Sequence, residues 1–317
     1  MYDIEMILKA LDFAAKRHSA QFRKGEDKSP YINHPIQVAN LLINEAGEQD
    51  PFLLTAAILH DVVEDTVNTK EDKQKLIDQI SEIFGEQVLT LVMEVTDDKS
   101  LEKAERKRLQ IEQASYKSDN ARKLKIADKI MNIRDITNHP PVDWDLRRIL
   151  DYFDWAEKVV AGLRGVNREL EDIFDECLTE ARGKYRKLKM EEHVKLIFRN
   201  EFSCIEQKFN IISMSINEAF ESKNELVAHP GVYVFWHEGK IIKVGRHLIN
   251  SRKRALEHIR DNTKNEVFQM NALKTCSEEC GLTLINCIDK KDYHWAAAIE
   301  VFLENVLDPV IRSKRTG

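Results

Sequence analysis

From the first residues to about position 190, apolar side chains recur every three or four positions. Ile4, Ile7, Leu8, Leu11, Ala14 and Ala15, with His18 at the end, trace the first such stripe, which is the spacing of one helix face. A second stripe runs through IQVANLLINEA after Pro35, and a third begins at Pro51 and continues through FLLTAAILHDVVEDT; a proline at that point suits a first helical turn. The same period predicts helices over 70–84, 86–95, 101–113, 120–137, 143–164 and 168–188, with no strand signal among them. The stretch 190–227 reads as a helical connector without site residues. At Pro230 the period changes from about 3.6 to 2. GVYVFW and KIIKVGR are two β-rich runs separated by HEGK, which predicts a hairpin. SRKRALEHIRDNT then reads as a helix, LTLINCID as a third strand, and HWAAAIEVFLENVL as a closing helix before Pro309. The expectation is a multidomain chain: an all-α domain over 1–189, the connector, and a small α/β domain over 228–317.

Composition narrows the class without naming it. The 317 residues include 43% hydrophobic and 32% charged side chains, with only 11 Gly and 7 Pro, so the chain buries sizeable cores and is not a low-complexity tail. No run of 18 apolar residues is present, which argues against a membrane-spanning helix. The opening MYDIEMILKALDF carries acids where a secretory signal carries bases. Five cysteines without paired CxxC spacing (Cys177, Cys204, Cys276, Cys280, Cys287) suit a reducing cytoplasm better than a disulfide framework. The net charge is −6, yet the span from Lys240 to Arg260 is basic, with Glu257 its one acid; such a stretch attracts phosphates.

The segment richest in chemistry is AILHDVVEDT. If it is one continuous helix, His60 and Glu64 lie one turn apart, as do Asp61 and Asp65. Three carboxylates and an imidazole beside an apolar stripe are costly unless a cation neutralises them. PYINHP sets His34 in a turn before a helix, and IADKIMN sets Asp128 on an otherwise apolar one. Two imidazoles and two carboxylates form a mixed nitrogen and oxygen set that suits Mn²⁺, Fe²⁺ or Zn²⁺ better than Ca²⁺.

Over residues 1 to about 182, the ordered blocks ALDFAAKRH, RKGEDKSPYINHP, AAILHDVVEDT, EVTDDKSLEKAERKRLQ, KIADKIMNIRD and DYFDWAEKVVAGLRGVNRELE resemble the HD-type hydrolases of the Rel/Spo alarmone enzymes, above all their small stand-alone members. The resemblance implies that His34, His60, Asp61 and Asp128 hold one Mn²⁺ and that Glu64 and Asp65 flank the attacking water. It implies a reaction at the 3′-diphosphate of guanosine tetra- or pentaphosphate, giving pyrophosphate and GDP or GTP. Arg23 and Lys24 would border the base, Asn132 the ribose and Tyr152 the base side, with Lys99, Arg106 and Lys107 facing phosphates. NADPH is an alternative substrate that the same resemblance brings.

A second resemblance, to the GIY-YIG nuclease domain, covers 228–317. Gly231-Val232-Tyr233 stands for its first motif and Lys243-Val244-Gly245 for its second, with Lys where Tyr is usual. Arg254, His258 and Glu300 match its arginine, histidine and metal-binding glutamate, while the asparagine beyond the closing proline is missing. The resemblance implies Mg²⁺ or Mn²⁺ at Glu300 and DNA or RNA as a partner. It leaves cleavage, simple binding, or a cut gated by nucleotide sensing in the HD domain as open readings.

Overall fold

The computed structural model describes residues 2–25, 27–67, 69–276 and 280–313. They fall into two compact units, Met1–Ala181 and Arg182–Gly317.

In the first unit every regular element is helical: α1 (Tyr2–Arg17), α2 (Asn33–Asn44), α3 (Pro51–Leu59), α4 (Val62–Asp65), α5 (Lys70–Phe84), α6 (Glu86–Val95), α7 (Lys103–Glu112), α8 (Asp119–Asn138) and α9 (Leu146–Ala161). The centre is α3, which begins on Pro51 after the Asp50 carboxylate accepts the Phe52 N–H at 2.9 Å; that side chain satisfies a donor the helix leaves open. All seven residues from Leu53 to Leu59 are buried, so α3 is wrapped on every side, by α1, α2, α6 and α8. Helix α8 is almost as deeply placed, with Leu124, Ile126, Ala127, Ile130 and Ile133 fully buried. A charged side chain on either helix therefore sits in the core and needs a partner there.

The expected continuous helix through 51–66 is broken. Helix α3 stops at Leu59 and α4 starts at Val62. At the break the His60 imidazole donates from Nδ1 to the Ala57 carbonyl at 2.7 Å, the acceptor that an unbroken helix would offer to the Asp61 N–H.

The second half of the chain holds more β-structure than expected. The helix predicted over 168–188 runs on as α10 (Arg168–Phe202), and the supposed helical connector contains β1 (Phe209–Met214) and a short α11 (Ile216–Glu221). Strand β1 pairs antiparallel with β4 (Cys280–Cys287), which also pairs with β2 (Gly231–His237); β2 pairs with β3 (Lys240–His247), giving the order β1-β4-β2-β3. The hairpin of β2 and β3 forms as expected, turning on Glu238 and Gly239, both at positive φ, the geometry that fits the twist of paired strands. Side chains of β2 alternate: Val232, Val234 and Trp236 face α10 and α13 (Trp295–Leu307), whereas Tyr233 and Phe235 face α11 and α12 (Ser251–Arg260). Covering on both faces explains why all eight residues of β4 are buried.

Candidate metal centre and substrate pocket

Four helices bring the HD residues together. His34 is the second residue of α2, His60 and Asp61 form the break between α3 and α4, and Asp128 projects from α8. His34 Nε2 lies 3.2 Å from Asp128 Oδ1 and 3.9 Å from Asp61 Oδ2. His60 Nε2 lies 3.2 Å from Asp61 Oδ2 and 3.8 Å from Asp128 Oδ1. Among the described residues, the group of three or more side chains able to ligate one ion is His34, His60 and Asp128, and Asp61 stands beside it.

The donor set passes a direct test of fit. Since Nδ1 of His60 donates to Ala57, Nε2 carries the lone pair of the neutral ring, and that buried nitrogen has no hydrogen-bond partner. A histidine held through one nitrogen by a backbone carbonyl and unpartnered at the other is arranged as a metal ligand. Without an ion the charges compensate one another. Burial opposes the His60 imidazolium, but Asp61 and Asp128 outweigh it and push the ring up to about 10. Burial likewise opposes the Asp128 carboxylate, yet Lys129, at 3.1 Å, and the two histidines hold it well below the usual carboxylate range.

Glu64 and Asp65, expected on the same helical face as His60 and Asp61, have separate partners. Glu64 Oε2 accepts the Asp97 N–H at 3.0 Å, and burial raises its carboxyl above the usual range despite that bond. Asp65 is bonded by Lys99, whose ammonium also stands 3.9 Å from Glu64. Tyr31 donates toward both Asp61, at 2.8 Å, and Asp65, at 2.9 Å. The sequence reading missed Tyr31 and Lys129, although each lies within three residues of a named ligand.

Beside the cluster opens a cavity of about 440 Å³ lined by Arg23, Lys24, Tyr31, Asp65, Asn132 and Tyr152, with Lys129, Trp144 and Trp155. Asn132 donates to Asp128 at 2.6 Å and accepts from Arg23 at 3.1 Å, and Arg23 is further held by Asp135. Burial raises the Tyr152 phenol well above its ordinary range, so it enters as a neutral aromatic. Lys107 sits 4.7 Å over the Trp155 ring with its ammonium pushed down by burial. None of the phosphate-facing trio lines this pocket itself: Lys99 is held on Asp65, Lys107 lies over Trp155, and Arg106 lines a separate cavity of about 850 Å³ with Thr96, Asp97 and Lys125. That cavity is larger, but none of the four metal-cluster residues lines it.

The second-domain residues also converge. Gly245 lies opposite Tyr233 in the β2–β3 register, and a Cβ there would come within 2.2 Å of the Tyr233 hydroxyl; glycine leaves room for the ring. Burial raises the Tyr233 phenol, so it stays protonated and donates to His258 Nε2 at 2.7 Å, while His258 Nδ1 donates to Thr263 at 2.7 Å. Burial, with Lys243 and Arg254 nearby, pushes His258 down to about 4. Arg254 pairs with Glu257 at 3.0 Å, and burial lowers the Lys243 ammonium against the pull of Glu304 and Glu300. Glu300 is already paired, so an ion there would have to displace its partner. Its buried carboxylate is taken by Arg246, a residue the sequence reading passed over, so an incoming cation meets a guanidinium in place of a free ligand.

These geometries define a candidate metal centre of HD type beside a pocket of about 440 Å³, and comparison agrees. The HD domain family matches residues 10–149. The chain is 51% identical over 168 residues to the human guanosine-3′,5′-bis(diphosphate) 3′-pyrophosphohydrolase MESH1, an alignment covering 53% of this chain and 90% of that protein. It is 48% identical to the Drosophila melanogaster protein of the same name, over 56% of this chain and 96% of the relative. A solved structure described as a metazoan ortholog of SpoT that hydrolyzes ppGpp superposes with a TM-score of 0.52 at 45% identity, covering 55% of this chain and 94% of that one. The chain belongs to the MESH1 family of HD-domain pyrophosphohydrolases.

Proposed function

We propose that the first unit hydrolyses the 3′-diphosphate of guanosine tetra- or pentaphosphate in a Mn²⁺-dependent reaction, releasing pyrophosphate and leaving GDP or GTP. The observation that carries this reading is the convergence of His34, His60, Asp61 and Asp128 beside the Glu64–Asp65 pair and the 440 Å³ pocket, in a chain whose first half is about 51% identical to a relative named for that reaction. Bound there, the cation would act as a Lewis acid and make a coordinated water acidic near neutral pH. The remaining work falls to side chains. Glu64, whose carboxyl burial raises, is suited to carry a proton between water and the departing 3′-oxygen. Asp65, steadied by Lys99 and Tyr31, orients the water. Arg23 and Lys24 border the base, Tyr152 supplies an apolar wall, and Asn132 links the ribose position to Asp128. Lys99 and Lys107 supply cations for phosphate oxygens. Five cysteines without paired CxxC spacing support a reducing, cytoplasmic setting.

For 228–317 we infer a GIY-YIG-like module that binds DNA or RNA. The Tyr233–His258 contact supports this, as does the basic span from Lys240 to Arg260. Arg246 on Glu300 favours binding over metal-dependent cutting.

Pyrophosphate release from guanosine tetraphosphate tests the main reading. Wild type with Mn²⁺ should release it, whereas Asp61→Ala and an EDTA control should not. A folded, Mn²⁺-loaded wild type that releases none refutes the reading.

A further inference from the structure

Tyr31 is the one described side chain hydrogen-bonded to both carboxylates of the Asp61–Asp65 pair. It lies outside the ligand set, on the segment just before α2. Its hydroxyl has one proton and faces two acceptors at nearly equal distance, 2.8 Å to Asp61 Oδ2 and 2.9 Å to Asp65 Oδ2. One proton makes one good hydrogen bond at a time, so one carboxylate must face an oxygen lone pair unless something else engages it.

The ring is fixed from behind by residues that no part of the reaction requires. His18 is 2% exposed and stacks on Tyr31 with centroids 4.9 Å apart and planes at 27°. Its Nδ1 donates to Gln21 Oε1 at 2.6 Å, and Gln21 Nε2 donates to the backbone carbonyl of Asp65 at 2.7 Å. The Tyr31 N–H closes the loop by donating to the Gln21 carbonyl at 2.9 Å. Both the side chain and the main chain of Asp65 are thereby tied to one brace built from the segment between α1 and α2.

We propose that Tyr31 is a positioning residue whose hydroxyl serves Asp65 once Asp61 is committed to the cation, with His18 and Gln21 holding it in place; this rests on the hydrolase reading above. A carboxylate whose lone pairs point at a cation no longer competes for the phenol proton. The proton then settles on Asp65 and fixes the oxygen that orients water. The brace acts through Asp65: His18 and Gln21 lie outside the pocket lining, and Tyr31 meets the pocket as part of its wall.

Tyr31→Phe keeps the stacking and removes only the hydroxyl. The full chain is assayed for Mn²⁺ affinity by calorimetry and for kcat and KM with guanosine tetraphosphate. Removing a positioning hydrogen bond of this kind should lower kcat by about 10- to 100-fold, with KM and Mn²⁺ affinity within about threefold of wild type. His18→Asn, which retains a donor toward Gln21, should keep most of the rate, and His18→Leu should lose about tenfold. An unchanged kcat in Tyr31→Phe overturns the proposal. So does a loss of Mn²⁺ affinity of about tenfold or more with kcat restored by saturating metal, because the hydroxyl would then serve Asp61. Absence of turnover in the wild type measured alongside overturns the hydrolase reading itself, and this inference with it.

Discussion

Asp128→Asn tests the metal centre through stability, independently of turnover. The asparagine keeps the volume and one oxygen of a side chain standing 3.2 Å from His34 and 3.8 Å from His60, and removes its charge. A cation that binds only the folded state stabilises it by RT ln(1 + [L]/Kd), about 2.7 kcal/mol when Mn²⁺ is supplied at about 100 times Kd. For a cooperative unit of the size of Met1–Ala181, each kcal/mol moves the midpoint by about 2–4 °C. Wild type should therefore melt about 5–11 °C higher in Mn²⁺ than in EDTA. If the lost charge weakens binding about 100-fold, the same Mn²⁺ concentration leaves only RT ln 2, about 0.4 kcal/mol, and a shift of about 1 °C. Scanning calorimetry fitted with a separate transition for each unit reads the difference. An equal upward shift in Asp128→Asn at the same Mn²⁺ concentration would refute the assignment of Asp128 as a ligand.

Other consequences follow from the same geometry. Glu64→Gln keeps the bond from Asp97 but cannot carry a proton, so kcat should fall by about 10²- to 10⁴-fold with KM little changed; a steady-state assay reads this, and a loss below tenfold would remove Glu64 from proton transfer. His258, folded at about 4 against about 6.5 unfolded, makes the unfolded state the better proton binder between those values. Its contribution is complete above about pH 6.5 and lost as pH falls toward 4, on the order of 3 kcal/mol; denaturant melts of the second unit should show that slope, and His258→Gln should flatten it. Arg246→Ala leaves buried Glu300 without its cation and should cost the second unit about 2 kcal/mol, below the usual buried-pair penalty because Arg246 is partly exposed; an unchanged urea midpoint would contradict the pairing.

The helical half was largely legible because its signals are local and repeated. Seven consecutive buried residues on α3 and the polar Asp128 on apolar α8 stand out against a helical period. The break at His60 and Asp61 was not legible, since it depends on which carbonyl the His60 ring takes in three dimensions. Tyr31 sits in the same PYINHP segment as His34, but nothing in its spacing says that its hydroxyl reaches residues 30 and 34 positions away. Arg106 meets a related limit: its place in a basic cluster gives charge but not the cavity it faces. Strand β1 was hidden because FNIISM is six residues long and follows a long polar helix, and only pairing with β4, some seventy residues onward, makes it a strand. Arg246 on Glu300 is likewise a contact across 54 positions that no motif spells out.

The position of β1 bears on how the second half can be handled in isolation. A fragment cut at residue 228, where the sequence alone would begin it, discards the strand that pairs with Phe209↔Cys287 through Met214↔Leu282. It would leave one whole side of β4 as a bare row of amide and carbonyl groups, flanked by a core stripped of Met190, Val194 and Phe198. Such a raw edge recruits strands from other molecules. A piece started near Arg182 keeps β4 paired and its core whole, with short β1 as the native edge, so two fragments differing by fewer than fifty residues should differ sharply in their tendency to aggregate.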